Sequence, residues 1–228
     1  MIRLVCAGLD RLLGLGLIMT ILLCGYVIYD SATVMHSAVL GAEIKQYAPA
    51  DEDEKLRFED LTGVNTNIIG WIRIDGTSID YPVLQATDNE YYLARNYLNE
   101  FATAGSIFLD YRNDFEADDF LIIYGHRMSY GKMFSDIVKF ADAHYFAEHQ
   151  AGRIYGKTGT HELKAVAYAQ VAASERAIYG RIDLVATLKL LRERAKYWQE
   201  SSAQKFVLLS TCDAKNKSMR NVLLLEMH

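Results

Sequence analysis

The chain has 228 residues, 51% hydrophobic and 23% charged, a balance that excludes a disordered or fibrous protein. That length suffices for one domain of about 150 to 200 residues with its own core, plus appendages. A net charge of −5 without any basic block argues against a nucleic-acid partner.

Leu12 to Tyr29, "LLGLGLIMTILLCGYVIY", carries no charge and is bounded by Arg3, Asp10 and Arg11 before it and Asp30 after it. A membrane-crossing helix needs about 20 apolar residues, so this run is just long enough. A cleaved signal peptide is the rival reading, but no clean small-x-small site follows: Tyr26, Tyr29 and Asp30 surround Gly25 and Ser31. Residues 1–30 are therefore expected to be a short cytoplasmic tail and a retained transmembrane anchor. The arginines on the N-terminal side put the N-terminus in the cytoplasm and the remainder outside.

Residues 31–66 have few turn residues and an acidic run, Asp51-Glu52-Asp53-Glu54, leading into "KLRFEDL". They read as a helical, membrane-proximal segment, with Pro49 and the aspartates starting its second helix. From Ile68 the pattern changes to eight short β-rich runs: "IIGWIRI", "SIDYPVLQ", "GSIFLDY", "DFLIIYGH", "RIYGKTG", "HELKAVAYAQV", "KFVLLSTC" and "RNVLLLEM". Their spacing and punctuation favour a barrel or sandwich over a βαβ fold. Asp75-Gly76 is a hairpin signal. Two stretches read as helices: Asn89 to Leu98, and Asp183 to Glu200, the latter capped by Asp183 with Leu184, Leu188, Leu191, Ala195 and Trp198 at helical spacing.

Several motifs have better ordinary explanations. Ser129-x-x-Lys132 and Lys157-Thr158-Gly159 match two elements of serine acyltransferases, but the third element is missing and the two lie too close together for that fold. His161-Glu162 starts a zinc motif whose second histidine position is Ala165. His144 and His149 are five residues apart, which would place them on different faces of a helix, and both read as surface residues.

Three residues remain. Cys6 and Cys24 sit in or near the apolar segment, so Cys212 is the one cysteine of the outer domain and has no disulfide partner there. It ends the apolar run 206–209 and its short polar extension, as His126 follows the apolar run 120–123. A polar group at the end of a buried strand must be satisfied or functional, and histidine exchanges a proton near neutral pH. Attack of a thiolate on a carbonyl also needs a fixed donor where the oxyanion forms. Arg220 opens the strand after Cys212 and reaches the same strand-end mouth if the two final strands are neighbours, and its fork of donors suits that task better than Lys215 or Lys217. The alternatives are an inert core thiol, a structural histidine and a solvated edge arginine.

These residues resemble the sortases, membrane-anchored cysteine transpeptidases of mostly Gram-positive bacteria. "YGHRM" (124–128) is similar to the family's histidine motif, "LSTC" (209–212) to its cysteine motif, and Arg220 stands at a family-like distance. The "IGWIRIDGTSIDYPV" start, the helices before it and the long helix before the cysteine strand resemble class B. The resemblance implies a mainly β fold, a sortase-type eight-stranded β-barrel over 67–228 with N-terminal helices and a peripheral helix inserted before the cysteine strand. It implies Cys212 as nucleophile, His126 as acid and base, Arg220 as oxyanion or substrate support, and Thr211 and Ser210 as substrate contacts. The implied substrates are C-terminal sorting signals of surface proteins, and the implied acceptors are amines of peptidoglycan, of its lipid-linked precursor or of a pilin lysine. No cofactor is implied. The acidic calcium cluster of class A has no counterpart, so no metal is expected. A peptidase that only hydrolyses, or a catalytically silent surface binding module, are the other functions this sequence allows.

Overall fold

The computed structural model describes residues 2–37, 42–49, 58–128, 131–181, 183–212 and 218–228. It divides into two compact units, Met1–His36 and Ser37–His228. Helix α1, Ile2–Ser37, makes up the first. Within it Arg11–Thr33, 23 residues of mean hydropathy 2.2, is wholly exposed. At 1.5 Å per residue that stretch is about 35 Å long, enough to cross a hydrocarbon core of about 30 Å. The hydroxyls of Thr20 and Thr33 are satisfied within the helix, donating to the carbonyls of Gly16 and Tyr29 one turn back.

The second unit begins with two short helices, α2 (Ala42–Lys45) and α3 (Phe58–Val64). The strands follow: β1 (Ile68–Ile74), β2 (Asp80–Leu84), β3 (Ile107–Leu109), β4 (Phe120–Tyr124), β5 (Ala151–Tyr155), β6 (Thr160–Ala172), β7 (Tyr197–Trp198), β8 (Lys205–Cys212) and β9 (Met219–Met227). The order β5-β1-β2-β3-β4-β8-β9-β6, closed by pairing of β6 back to β5, is an eight-stranded barrel, and β7 adds two residues to β6. This is the expected architecture, and each of the eight apolar runs supplies one strand. Closure falls to β6, whose 13 residues pair with β5 along the first part and with β9 along the rest. Gly76, at φ +71°, makes the tight β1–β2 turn that Asp75-Gly76 signals.

Two pairs in the ring are parallel, β2–β3 and β4–β8. The second explains the unbroken apolar runs of "FLII" and "FVLL", since a strand covered on both faces needs apolar residues at every position. Leu121, Ile123, Val207, Leu209, Leu223 and Leu225 fill the barrel. The alternate residues Phe120, Ile122, Phe206, Leu208, Val222 and Leu224 face outward under Ile178 of α5 (Arg176–Tyr179) and Leu191 of α6 (Leu184–Arg194). A third cluster packs Ile44 and Leu61 of α2 and α3 onto Ile68, Trp71, Tyr92 and Tyr155.

Two helix expectations are corrected. Asp183 does cap α6, accepting from the Ala186 amide, but the helix stops at Arg194 and not at Glu200. Ala195 is extended, and the amides of Lys196 and Gln199 donate to Tyr168 and Val166 of β6, so sheet pairing takes the segment away from the helix. Asn89 to Leu98 forms only a 3-10 turn, Tyr91–Leu93. Its backbone is committed elsewhere: Tyr92 and Ala94 carbonyls accept from Ser106 and Ala102, and Arg95 bridges to Phe101. Lys157-Thr158-Gly159 is the β5–β6 turn, with Glu116 accepting from the amides of Lys157 and Thr158. Helix α4, Ala143–Glu148, carries His144 and is followed by His149; the former pairs with Glu148 and the latter stacks on Tyr145. Ser129 and the acidic run 51–54 lie outside the described residues.

Candidate active site

The parallel β4–β8 pair ends both strands at one rim of the barrel. Tyr124 stands opposite Ser210, and the Gly125 amide donates to the Ser210 carbonyl at 3.2 Å. Two residues further along the chain come His126, just past β4, and Cys212, the last residue of β8. On the other side of β8 the antiparallel partner β9 sets Cys212 opposite Arg220 and Thr211 opposite Asn221. One ladder therefore brings the backbones of His126, Cys212 and Arg220 to the same strand ends. The side chain of Cys212 lies outside the described atoms.

Gly125 is what lets this happen at β4. A Cβ there would meet Ile107 Cδ1 at 2.4 Å and the Phe134 ring at 2.7 Å, so any side chain would push the histidine loop off the barrel end. The loop is pinned on its far side: Phe134 donates to the His126 carbonyl at 3.1 Å, and Arg127 bridges to Met133. His126 is half-buried, with Nε2 2.8 Å from the Leu93 carbonyl. A carbonyl only accepts, so Nε2 is the donor in this contact and Nδ1 is the ring's other nitrogen.

A cleft of about 420 Å³ opens at this rim, lined by His126, Ser210, Thr211 and Arg220. The structure thus lines one cavity with four of the five sequence-predicted residues, and the register sets the backbone of the fifth, Cys212, next to Thr211 and opposite Arg220. Arg220 is half-exposed and its guanidinium donates to the Met219 carbonyl at 3.2 Å. Ser210, 2% exposed, meets the Tyr179 hydroxyl at 2.9 Å. Thr211 is 1% exposed, and its Oγ1 has no hydrogen-bond partner among the described residues. A buried hydroxyl in that condition is costly unless something satisfies it.

The remaining wall includes residues that the sequence reading missed, among them Asn89, Leu93, Tyr111, Arg112, Tyr124 and Tyr179. At its base Asp110 is fully buried just past β3. Burial alone would raise its carboxyl pKa, but hydrogen bonds from Arg112, Tyr124 and Asn89 outweigh it and hold the group below the usual carboxylate range. Burial, and then the Asp110 charge, push the Tyr124 phenol up, so it stays a donor. The signal was available: "GSIFLDY" ends an apolar run in a charged residue, as "FLIIYGH" does with His126.

Comparison with known proteins agrees with this geometry. A family model described as the sortase domain matches residues 72–227. Sortase B of Listeria monocytogenes is 36% identical over 164 residues, covering 68% of this chain and 67% of that protein. The crystal structure of sortase B from B. anthracis superposes with a TM-score of 0.69 at 31% identity, covering 82% of this chain and 93% of that one. The substrate complex of Staphylococcus aureus sortase B gives 0.70 at 26% identity, over 78% and 87% of the two chains. The chain belongs to the sortase family of cysteine transpeptidases and, within it, is most similar to class B.

Proposed function

We propose that the chain is a membrane-anchored transpeptidase that cleaves C-terminal sorting signals of surface proteins, with Cys212 as nucleophile. The observation that carries this is the β4–β8–β9 register, which brings His126, Cys212 and Arg220 to one strand-end rim beside the cleft.

The Cys212 thiolate adds to the scissile carbonyl carbon, forming a C–S bond and an oxyanion that the Arg220 guanidinium stabilises. As the C–N bond breaks, the leaving amine takes a proton from His126 Nδ1. An incoming amine then adds to the thioacyl carbon and gives its proton to the same nitrogen. The C–S bond breaks and the thiolate is regenerated. Thr211 Oγ1 and Ser210 contact the peptide. The acceptor is an amine of peptidoglycan, of its lipid-linked precursor or of a pilin lysine. Helix α1 anchors the enzyme with its N-terminus in the cytoplasm, so that the catalytic unit meets acceptors held at the outer membrane surface at raised effective concentration.

The test uses the full chain in detergent, a panel of sorting-signal peptides and an added amine acceptor. Cleavage with transfer to the amine is expected, and Cys212→Ala and His126→Ala should abolish both while the fold persists. Hydrolysis without transfer for every acceptor would leave a peptidase. Turnover retained in Cys212→Ala would falsify the mechanism.

A further inference from the structure

The cleft has one wall of strands and one of loops, and the loop wall is tied together by a single charged pair. Asp110, with no exposed surface, accepts from Arg112 Nε at 2.8 Å and from its second terminal nitrogen at 2.7 Å. It also accepts from the Arg112 amide at 3.0 Å, the Tyr124 hydroxyl at 2.8 Å and Asn89 Nδ2 at 3.0 Å. The remaining terminal nitrogen of Arg112 points away from Asp110. It donates to the carbonyl of Gly180 and, at 3.4 Å, to that of Tyr179, at the end of α5. Tyr179 in turn meets Ser210 on the cysteine strand, and its ring lies 6.3 Å from that of Tyr124. The connections form a closed circuit from the end of β3 through α5 to β8 and back through Tyr124.

We propose that Arg112, oriented by Asp110, is a positioning residue that straps the end of α5 to the end of β3 and so sets the shape of the cleft for the acyl-donor peptide. An ion pair with one buried member is weak support for stability, because the cost of desolvating the carboxylate offsets much of the attraction. The geometry points to placement. Only a guanidinium has donors in a fixed fork that can hold a carboxylate on one side and two main-chain carbonyls on the other. Removing the third arm frees the α5 end, and with it the contact that Tyr179 makes beside the nucleophile strand. No reacting atom is touched, so ground-state and transition-state binding are weakened alike.

The inference rests on Cys212 being the nucleophile of this cleft. Failure of that reading shows as turnover in Cys212→Ala; failure of the strap shows in Arg112 variants. Arg112→Lys keeps a cation beside Asp110 but cannot span to the carbonyls, and Arg112→Gln keeps a hydrogen-bonding side chain without charge. In the full chain in detergent, both should raise KM for a cleaved sorting peptide about tenfold and change kcat by less than about twofold. The rate at which iodoacetamide alkylates Cys212 should not change, since the nucleophile is untouched. An unchanged KM in both variants overturns the proposal. So does a fall in kcat and thermal stability together at constant KM, which would mark Arg112 as structural only.

Discussion

The two walls of the cleft are built by different means. The strand wall, Ser210 and Thr211 on β8 and Arg220 on β9 with His126 just past β4, is placed by main-chain ladders that leave each residue one possible neighbour. The loop wall, Asn89, Arg112 and Tyr179, is placed by side chains converging on the Asp110 carboxylate and by Arg112. A ladder resists substitution of any one side chain, whereas a side-chain circuit opens when one member is lost. In the proposed function the chemistry sits on the first wall, which also offers Ser210 and Thr211 to the peptide, and the shape of the peptide site depends on the second. That division lets recognition vary without moving the reacting groups.

Substitutions can break the comparison in order of expected size. Cys212→Ala should lower turnover at least about 10⁴-fold, and His126→Ala about 10³-fold, in a peptide-cleavage assay with thermal unfolding unchanged. Arg220→Ala should lower kcat by about 10² to 10³ and Arg220→Lys should recover only part, since one ammonium lacks the guanidinium fork. If Arg220→Ala alters KM alone, Arg220 serves peptide binding and not the chemistry, and the division fails. Gly125→Ala tests the ladder itself: a Cβ forced against Ile107 and Phe134 should cost about 1 to 3 kcal/mol in urea unfolding and weaken catalysis through His126.

The smallest effect concerns acid. The folded pKa of Asp110 is depressed, so its contribution to stability is fully present above the unfolded value of about 3.9 and disappears as pH falls through the lower folded value. Asp136 behaves alike: burial would raise it, but Lys139 and the Ser78 amide hold it down. The melting temperature should be level from neutral pH to about pH 5 and fall below about pH 4. Asp110→Asn should make that fall shallower. An equally steep fall in that variant would place the acid sensitivity of the fold elsewhere.

The strand wall was legible in the sequence and the loop wall was not, for the same physical reason. Strand positions announce themselves by apolar runs, and His126 and Cys212 stand out because each ends one. Arg220 was legible once β8 and β9 were taken as neighbours, which the register confirms. The segment 89–98 has helix-compatible composition, but what fixes it is distant: the Asn89 side chain accepts from the Tyr111 amide and donates to Asp110, 21 residues on. Helix α6 was overextended because the pull of the β6 edge on residues 196–199 is also non-local. Local pattern identifies elements, whereas contacts formed across the fold decide where they end.

The barrel closure at β5–β6 has a further consequence. A sheet with an open edge can take an extended peptide as one more strand, reading it through main-chain hydrogen bonds that barely depend on sequence. Among the described residues every strand of the ring has a neighbour on each side over at least part of its length, and the two-residue β7 on the outside of β6 is too short to serve as a template. In the proposed function a guest peptide is then held mainly by the rim's side chains and turns. Its identity is read residue by residue, so neighbouring chains with high β-propensity gain no purchase on this enzyme merely by being extended.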